Sequence, residues 1–189
     1  MPRRATIPSP IREALIECFR AITRLVRPDR RRQLKTEDVD VAAPPGPIID
    51  ILEAIAAGAP SFSLETDGKI SFDAPQGFKV RVDLLEIGGE LGCVERIHAT
   101  EPFYEGSVAS RSDLLRLRAM TVVDRGGDGD VLDFLWLLEV VKAGQHLPEL
   151  DSQELECVIG AAEACLPGLG QLAAVAVLGE RDSAAALQL

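Results

Sequence analysis

Thr36-Glu37-Asp38-Val39-Asp40-Val41 is the stretch on which the reading of this 189-residue chain turns. Val39 and Val41 alternate with Asp38 and Asp40, and Pro44-Pro45-Gly46-Pro47 stops the segment, which predicts a short strand. Residues two apart on a strand share a face at about 7 Å, so the carboxylates of Asp38 and Asp40 can converge on one divalent ion. Without a cation they repel each other, and a solvent-facing strand edge accommodates the same spacing. The spacing leaves both readings open.

Working outward toward the C-terminus, Ile48, Ile51, Leu52 and Ile55 recur at helical spacing and end near Gly58 and Pro60. Ser61–Glu65 and Lys69–Phe72 flank Asp67-Gly68, a dipeptide suited to a hairpin turn. Phe78–Ile87 alternates, with Phe78, Val80, Val82 and Leu84 toward a core and Lys79, Arg81 and Asp83 on the other face. A neighbouring strand could bring Asp83 beside Asp38 and Asp40, and three such carboxylates would suit Mg²⁺. A surface ion pair of Asp83 with Arg81 is the plainer alternative. Cys93–His98 is expected to be a further strand.

The character changes at Ser110. Ser110 with Asp113 reads as a capped helix start, and Leu114, Leu115, Leu117 and Met120 supply its apolar residues. Gly126-Gly127-Asp128-Gly129 separates it from a helix over Asp130–Lys142, and Asp151 with Glu154 caps a third helix reaching about Cys165. Arg118 and Arg125 stand two turns apart on one helical face, while Asp130 and Asp133 open the next helix. These four can clamp two helices together. Gly168-Leu169-Gly170-Gln171-Leu172-Ala173 fits a dinucleotide-binding pattern, but it follows a helix and too little chain remains for a βαβ unit, so an interhelical turn explains it better.

Toward the N-terminus, residues 1–35 carry ten Lys or Arg against Glu13, Glu17 and Asp29, a charge of +7, which leaves −17 on the rest of a chain whose net charge is −10. An acidic body repels nucleic acid, so phosphate contacts are expected from the arm. Ile11, Leu15, Phe19, Ile22 and Leu25 or Val26 recur at helical spacing. The arm either docks loosely through its charge or lays this apolar face against the sheet. An Arg-rich amphipathic segment also resembles a mitochondrial transit peptide, a minor alternative to a cytoplasmic location, although its acidic residues are unusual for one. Cys18, Cys93, Cys157 and Cys165 have no metal-site spacing and read as free thiols of a reducing compartment. No apolar run is long enough for a membrane span.

The ordered set T-E-D-V-D-V, R-V-D-L-L and S-D-L-L-R-L-R-A-x₅-R-x₄-D-x₂-D-F resembles the nucleotidyltransferase-like proteins related to bacterial AbiEii-type toxins and their fungal relatives, over roughly residues 36–140. The resemblance implies an α+β fold of the polymerase-β type: a small mixed sheet with flanking helices, here followed by a helical C-terminal part. The divisions expected are a basic arm over 1–35, a sheet core over 36–109 and a helical part over 110–189. It implies that Asp38, Asp40 and Asp83 hold Mg²⁺ and serve catalysis, and that Arg118, Arg125, Asp130 and Asp133 serve nucleotide binding. Arg118 stands where such proteins usually have lysine. The implied reaction moves a nucleoside monophosphate from a nucleoside triphosphate to a hydroxyl of RNA or protein. The family's glycine turn on the helix before the D-x-D strand is missing, since residues 1–35 contain no glycine. An inactive nucleotidyltransferase-like module that binds protein or nucleic acid is therefore the alternative.

Overall fold

Helix α1 (Ser9–Leu25) shows why the first unit holds together. Pro8 and Pro10 sit at its N-terminus, where a missing N–H costs nothing, and Ala14, Cys18, Phe19 and Ile22 bury one face. In the computed structural model, which describes residues 8–29, 35–37, 40–66, 68–88, 94–144, 150–170 and 173, the chain forms two compact units, Met1–Ala109 and Ser110–Leu189. The protein is α+β, with the sheets in the first unit and a helical second unit.

The first unit continues through β1 (Lys35–Glu37), β2 (Asp40–Ala43), α2 (Pro45–Ala56), β3 (Phe62–Leu64), β4 (Ile70–Asp73) and β5 (Lys79–Glu86). These strands make a mixed five-stranded sheet in the order β1-β2-β5-β4-β3, with β2 and β5 parallel and the other neighbours antiparallel. Val41, Ala43, Ile70, Phe72, Val80 and Val82 form one core with Ile51 of α2 and with Ala14, Cys18 and Ile22 of α1. Burial pushes the Cys18 thiol up to about 12, so it stays protonated packing material. Within the described part of the basic arm, helix α1 is thus not loosely docked but fills the core. Asp50 of α2, itself buried, accepts from the Arg27 backbone N–H and from Arg27 Nε at 3.0 Å, fastening the chain just beyond α1.

Three sequence expectations are corrected. Thr36–Val41 is not one strand, because β1 and β2 pair antiparallel with Thr36 opposite Val41 and Glu37 opposite Asp40; Asp38 and Val39, between them in the chain, lie outside the described residues. The strand ends before Pro44, as expected, but the helix expected from Ile48 starts earlier, at Pro45, since proline is tolerated in a first helical turn. Cys93–His98 is not a strand: Cys93 lies outside the described residues, and Val94 makes one isolated bridge to Ile87. The expected hairpin at Asp67-Gly68 is present as β3–β4, with Gly68 at φ +80°. Unforeseen was the hairpin of β6 (Thr100–Phe103) and β7 (Gly106–Ala109). Phe103 packs on Phe19 at 5.3 Å between ring centroids, and a Cβ on Gly106 would come within 2.7 Å of the Phe19 ring. Arg20 lies over the Tyr104 ring and pairs with Glu105 at 3.3 Å, so α1 grips this hairpin as well.

The second unit consists of α3 (Arg111–Asp124), α4 (Asp128–Gly144) and α5 (Ser152–Cys165). Leu115, Ala119 and Val122 pack with Phe134, Leu137, Val141, Val158 and Ala161. Ser110 caps α3 by accepting from the Asp113 N–H, and Asp151 and Glu154 form a capping box on α5. Helix α4 begins at Asp128, so the last two residues of the glycine loop are its first turn. Among the described residues no helix is long and apolar enough to cross a membrane.

Because Phe19 is 1% exposed and braces both the core and the hairpin, Phe19→Ala is expected to destabilise the first unit by about 3–5 kcal/mol. A chain starting at Lys35 should lose cooperative unfolding of that unit altogether. Urea melts followed by circular dichroism check both; a truncated chain unfolding like the full one would show that α1 contributes nothing.

Candidate functional site

Parallel pairing of β2 with β5 places Asp40 opposite Asp83. Neighbouring strands lie about 4.8 Å apart, and partners in register point to the same face. Asp83 is exposed and Asp40 partly buried, and both line one open cleft of about 490 Å³ together with Lys79, Arg81, Leu15 and Phe78. Lys79, Arg81 and Asp83 alternate with buried Val80 and Val82, as strand periodicity requires. The sequence put Asp40 beside Asp38 on one strand and Asp83 on a possible neighbour; the structure brings Asp40 and Asp83 together across β2 and β5. Asp38 lies outside the described residues.

Two adjacent carboxylates repel unless water, a cation or a proton offsets the charge. Here water reaches the pair, and two basic side chains stand in the same cleft. The donor set is hard oxygen on an accessible face, which suits Mg²⁺, an ion normally held by one or two carboxylates plus water and phosphate oxygens. Among the described residues no three His, Cys, Asp or Glu gather as a metal site. His98 is exposed, and His146 lies outside the described residues.

The second unit brings its expected quartet together. Asp130 is the hub: its Oδ1 accepts from Arg118 at 2.9 Å and from Arg125 at 3.1 Å, and its Oδ2 accepts from Arg125 Nε at 2.9 Å. Asp133 stands farther off, 3.9 Å from Arg118 and one-third exposed. The Arg125 hydrogen bond above all, then that of Arg118, holds the Asp130 carboxyl below its usual range against an opposing effect of burial. A neighbouring network escaped the sequence reading. Arg116, 2% exposed, donates to Glu154 Oε1 at 2.9 Å and pairs with Asp113 at 3.5 Å. Glu154 also accepts the Asp151 N–H through Oε2, so one residue caps α5 and ties it to α3. The i,i+3 spacing of Asp113 and Arg116 was a signal for half of this; the link to Glu154 spans 38 residues and had none.

The glycine turn at 168–170 also resolves. The N–H groups of Gly168 and Gly170 donate to the Glu163 carboxylate at 2.8 and 2.9 Å, so the turn is closed by the chain's own acid. It is an interhelical turn, as expected.

No family profile, curated protein or solved structure matches this chain. Its function is therefore read from the residues themselves.

Asp130→Ala is expected to cost about 1–3 kcal/mol, because it strips partners from two arginines, whereas Asp133→Ala should cost under about 1 kcal/mol. The Asp130 carboxyl is depressed in the folded chain, so its stabilisation is complete above the ordinary aspartate value and is lost as pH falls through the folded one. The stability gap between the natural chain and Asp130→Asn should thus narrow below about pH 4. Thermal melts of both chains against pH measure it; a gap unchanged into acid would deny Asp130 this role.

Proposed function

We propose that this protein is a nucleotidyltransferase-fold enzyme that transfers a nucleoside monophosphate from a nucleoside triphosphate to a hydroxyl of an acceptor, RNA or protein. The observation that carries the reading is Asp40 opposite Asp83 in a cleft that also holds Lys79 and Arg81. Supporting it is the ordered resemblance of R-V-D-L-L and R-L-R-A-x₅-R-x₄-D-x₂-D-F to that family. Asp40 and Asp83 would hold Mg²⁺, with Asp38 as the remaining carboxylate of the proposed set. Bound Mg²⁺ supplies charge neutralisation at the departing pyrophosphate and alignment of the attacking hydroxyl.

The chain's own contributions follow from its charges. Asp83, the more exposed carboxylate, accepts the hydrogen bond of the incoming hydroxyl and orients it. Arg81 and Lys79 offset phosphate charge from the same strand face. In the second unit, Arg118, Arg125, Asp130 and Asp133 are the residues that the family resemblance assigns to nucleotide binding. A second reading, an inactive module that keeps the fold for binding, is favoured by one observation: α1 and the rest of residues 1–35 have no glycine to let backbone N–H groups approach a triphosphate closely.

Incubation with each α-labelled nucleoside triphosphate, Mg²⁺ and either RNA or protein acceptors decides between them. The enzyme reading expects label on an acceptor, loss of label by at least about a hundredfold in Asp83→Asn and Asp40→Asn, and a melting temperature raised by millimolar Mg²⁺. Absence of label with every nucleotide, together with melting indifferent to Mg²⁺, sinks it.

A further inference from the structure

Helix α4 is apolar on both of its faces. Phe134, Leu137, Leu138 and Val141 are buried in the core it shares with α3 and α5. On the side turned away from that core, Leu132 is 55% and Trp136 43% exposed, and half-buried Val140 follows one turn later. These three stand at i, i+4 and i+8, so they form one stripe with Trp136 at its midpoint. Single apolar side chains at a surface need no explanation. A line of them that includes the chain's one Trp does, because a helix apolar all round is the kind that is enclosed on both sides.

The charges beside the stripe select what encloses it. Asp128 opens α4 and Lys142 stands in its last turn, both exposed. Close to four turns separate them, so they lie on one flank of the stripe, at its two ends. A second α4 running antiparallel about a two-fold axis at Trp136 would set Leu132 against Val140 and Trp136 against Trp136. The same arrangement brings Asp128 of each copy to Lys142 of the other and the N-terminus of each helix dipole to the C-terminus of its neighbour. A parallel partner would set Asp128 against Asp128 instead. Glu139, exposed one turn before Lys142, borders the stripe, where the polar rim of such a pair leaves it in water.

We infer that the outer face of α4 is a self-association surface, on which two copies of this chain pair antiparallel through Leu132, Trp136 and Val140 with Asp128 against Lys142 at each end. The inference stands apart from the transferase reading. A helix of 17 residues presents a face about 25 Å long and about 10 Å wide. That is less than the roughly 800 Å² each partner buries in a stable complex, so the dimer is weak and forms with concentration. The net charge of −10 on each copy does not prevent it, because at physiological salt charges beyond about 8 Å are largely screened while direct contacts are not.

The test is sedimentation equilibrium of the full chain at physiological salt, with tryptophan emission read on the same samples. The average mass is expected to rise from one copy toward two with a Kd above about 1 µM. Emission should shift to the blue in step, as the ring of Trp136 leaves water. Leu132→Asp, at an exposed position, is expected to weaken association by at least about tenfold while the melting temperature in dilute solution stays that of the natural chain. Asp128→Lys alone and Lys142→Asp alone should each weaken it by at least about threefold. Mixing these two variants should restore it, because each end of the mixed pair again sets base against acid, and a restored affinity cannot come from misfolding. A single copy at every concentration up to about 500 µM would overturn the inference. A dimer that Leu132→Asp leaves intact, or one that forms with no change in emission, would assign the pairing to another surface and overturn it too. A mixture no stronger than its separate variants would deny the antiparallel order on which the inference stands.

Discussion

The parallel pairing of β2 with β5 is the constraint from which the first unit follows. Parallel neighbours cannot be joined by a tight turn, so the chain must travel between them, and it does so through α2 and the β3–β4 hairpin. That excursion supplies Ile51 to one face of the sheet and Ile70 and Phe72 to the sheet itself. The same register sets Asp40 against Asp83. A one-residue slip would send Asp83 to the core face and Val82 to solvent, a loss that the buried Val80 and Val82 make too large to occur. The carboxylate pair is thus a by-product of hydrophobic register, held in place by residues that never touch a ligand.

Helix α1 shows how charge and packing divide one segment. Its buried face, Ala14, Cys18, Phe19 and Ile22, lies in the core, while its arginines stay outward. One of them, Arg20, spans Tyr104 and Glu105 and so turns a basic residue into a brace for the β6–β7 hairpin. The +7 of residues 1–35 therefore describes composition, not looseness. Net charge speaks to encounter and solubility; which residues pack is decided by apolar area removed from water.

Much of this was legible before any coordinates. Alternation over Phe78–Ile87 gave the exposed face of Asp83 correctly, Ser110 and Asp151 marked two helix starts, and charge spacing gathered Arg118, Arg125 and Asp130. What failed did so for physical reasons. Thr36–Val41 alternates whether it is one strand or the two arms of a hairpin, because period two is the same in both. The β6–β7 turn carries Tyr104 at φ +49°, where no Asn-Gly or Asp-Gly signal announces it. Arg116 looked like any surface arginine, since its burial depends on Glu154, which only the packing of α3 on α5 brings near. The meeting of Asp40 with Asp83 across neighbouring strands was expected from the alternation of each, but the direct register between them was not, because sequence does not fix how two strands align.

The two ionic networks of the second unit then separate by what they could surrender. Arg116 is enclosed with Glu154 and Asp113; removing any one would strand charge away from water, so this network fixes the helices. Arg118 and Arg125 share the buried Asp130 carboxylate, but the Arg125 side chain is 69% exposed. An exposed arginine can exchange a carboxylate for a phosphate at little desolvation cost, because its charge is solvated in either state. Asp130 would then pass to Arg118 alone, with Asp133 near the same guanidinium to share it. A phosphate role for this quartet therefore falls on Arg125 first, with Arg118 and the two aspartates as the frame that returns it to position.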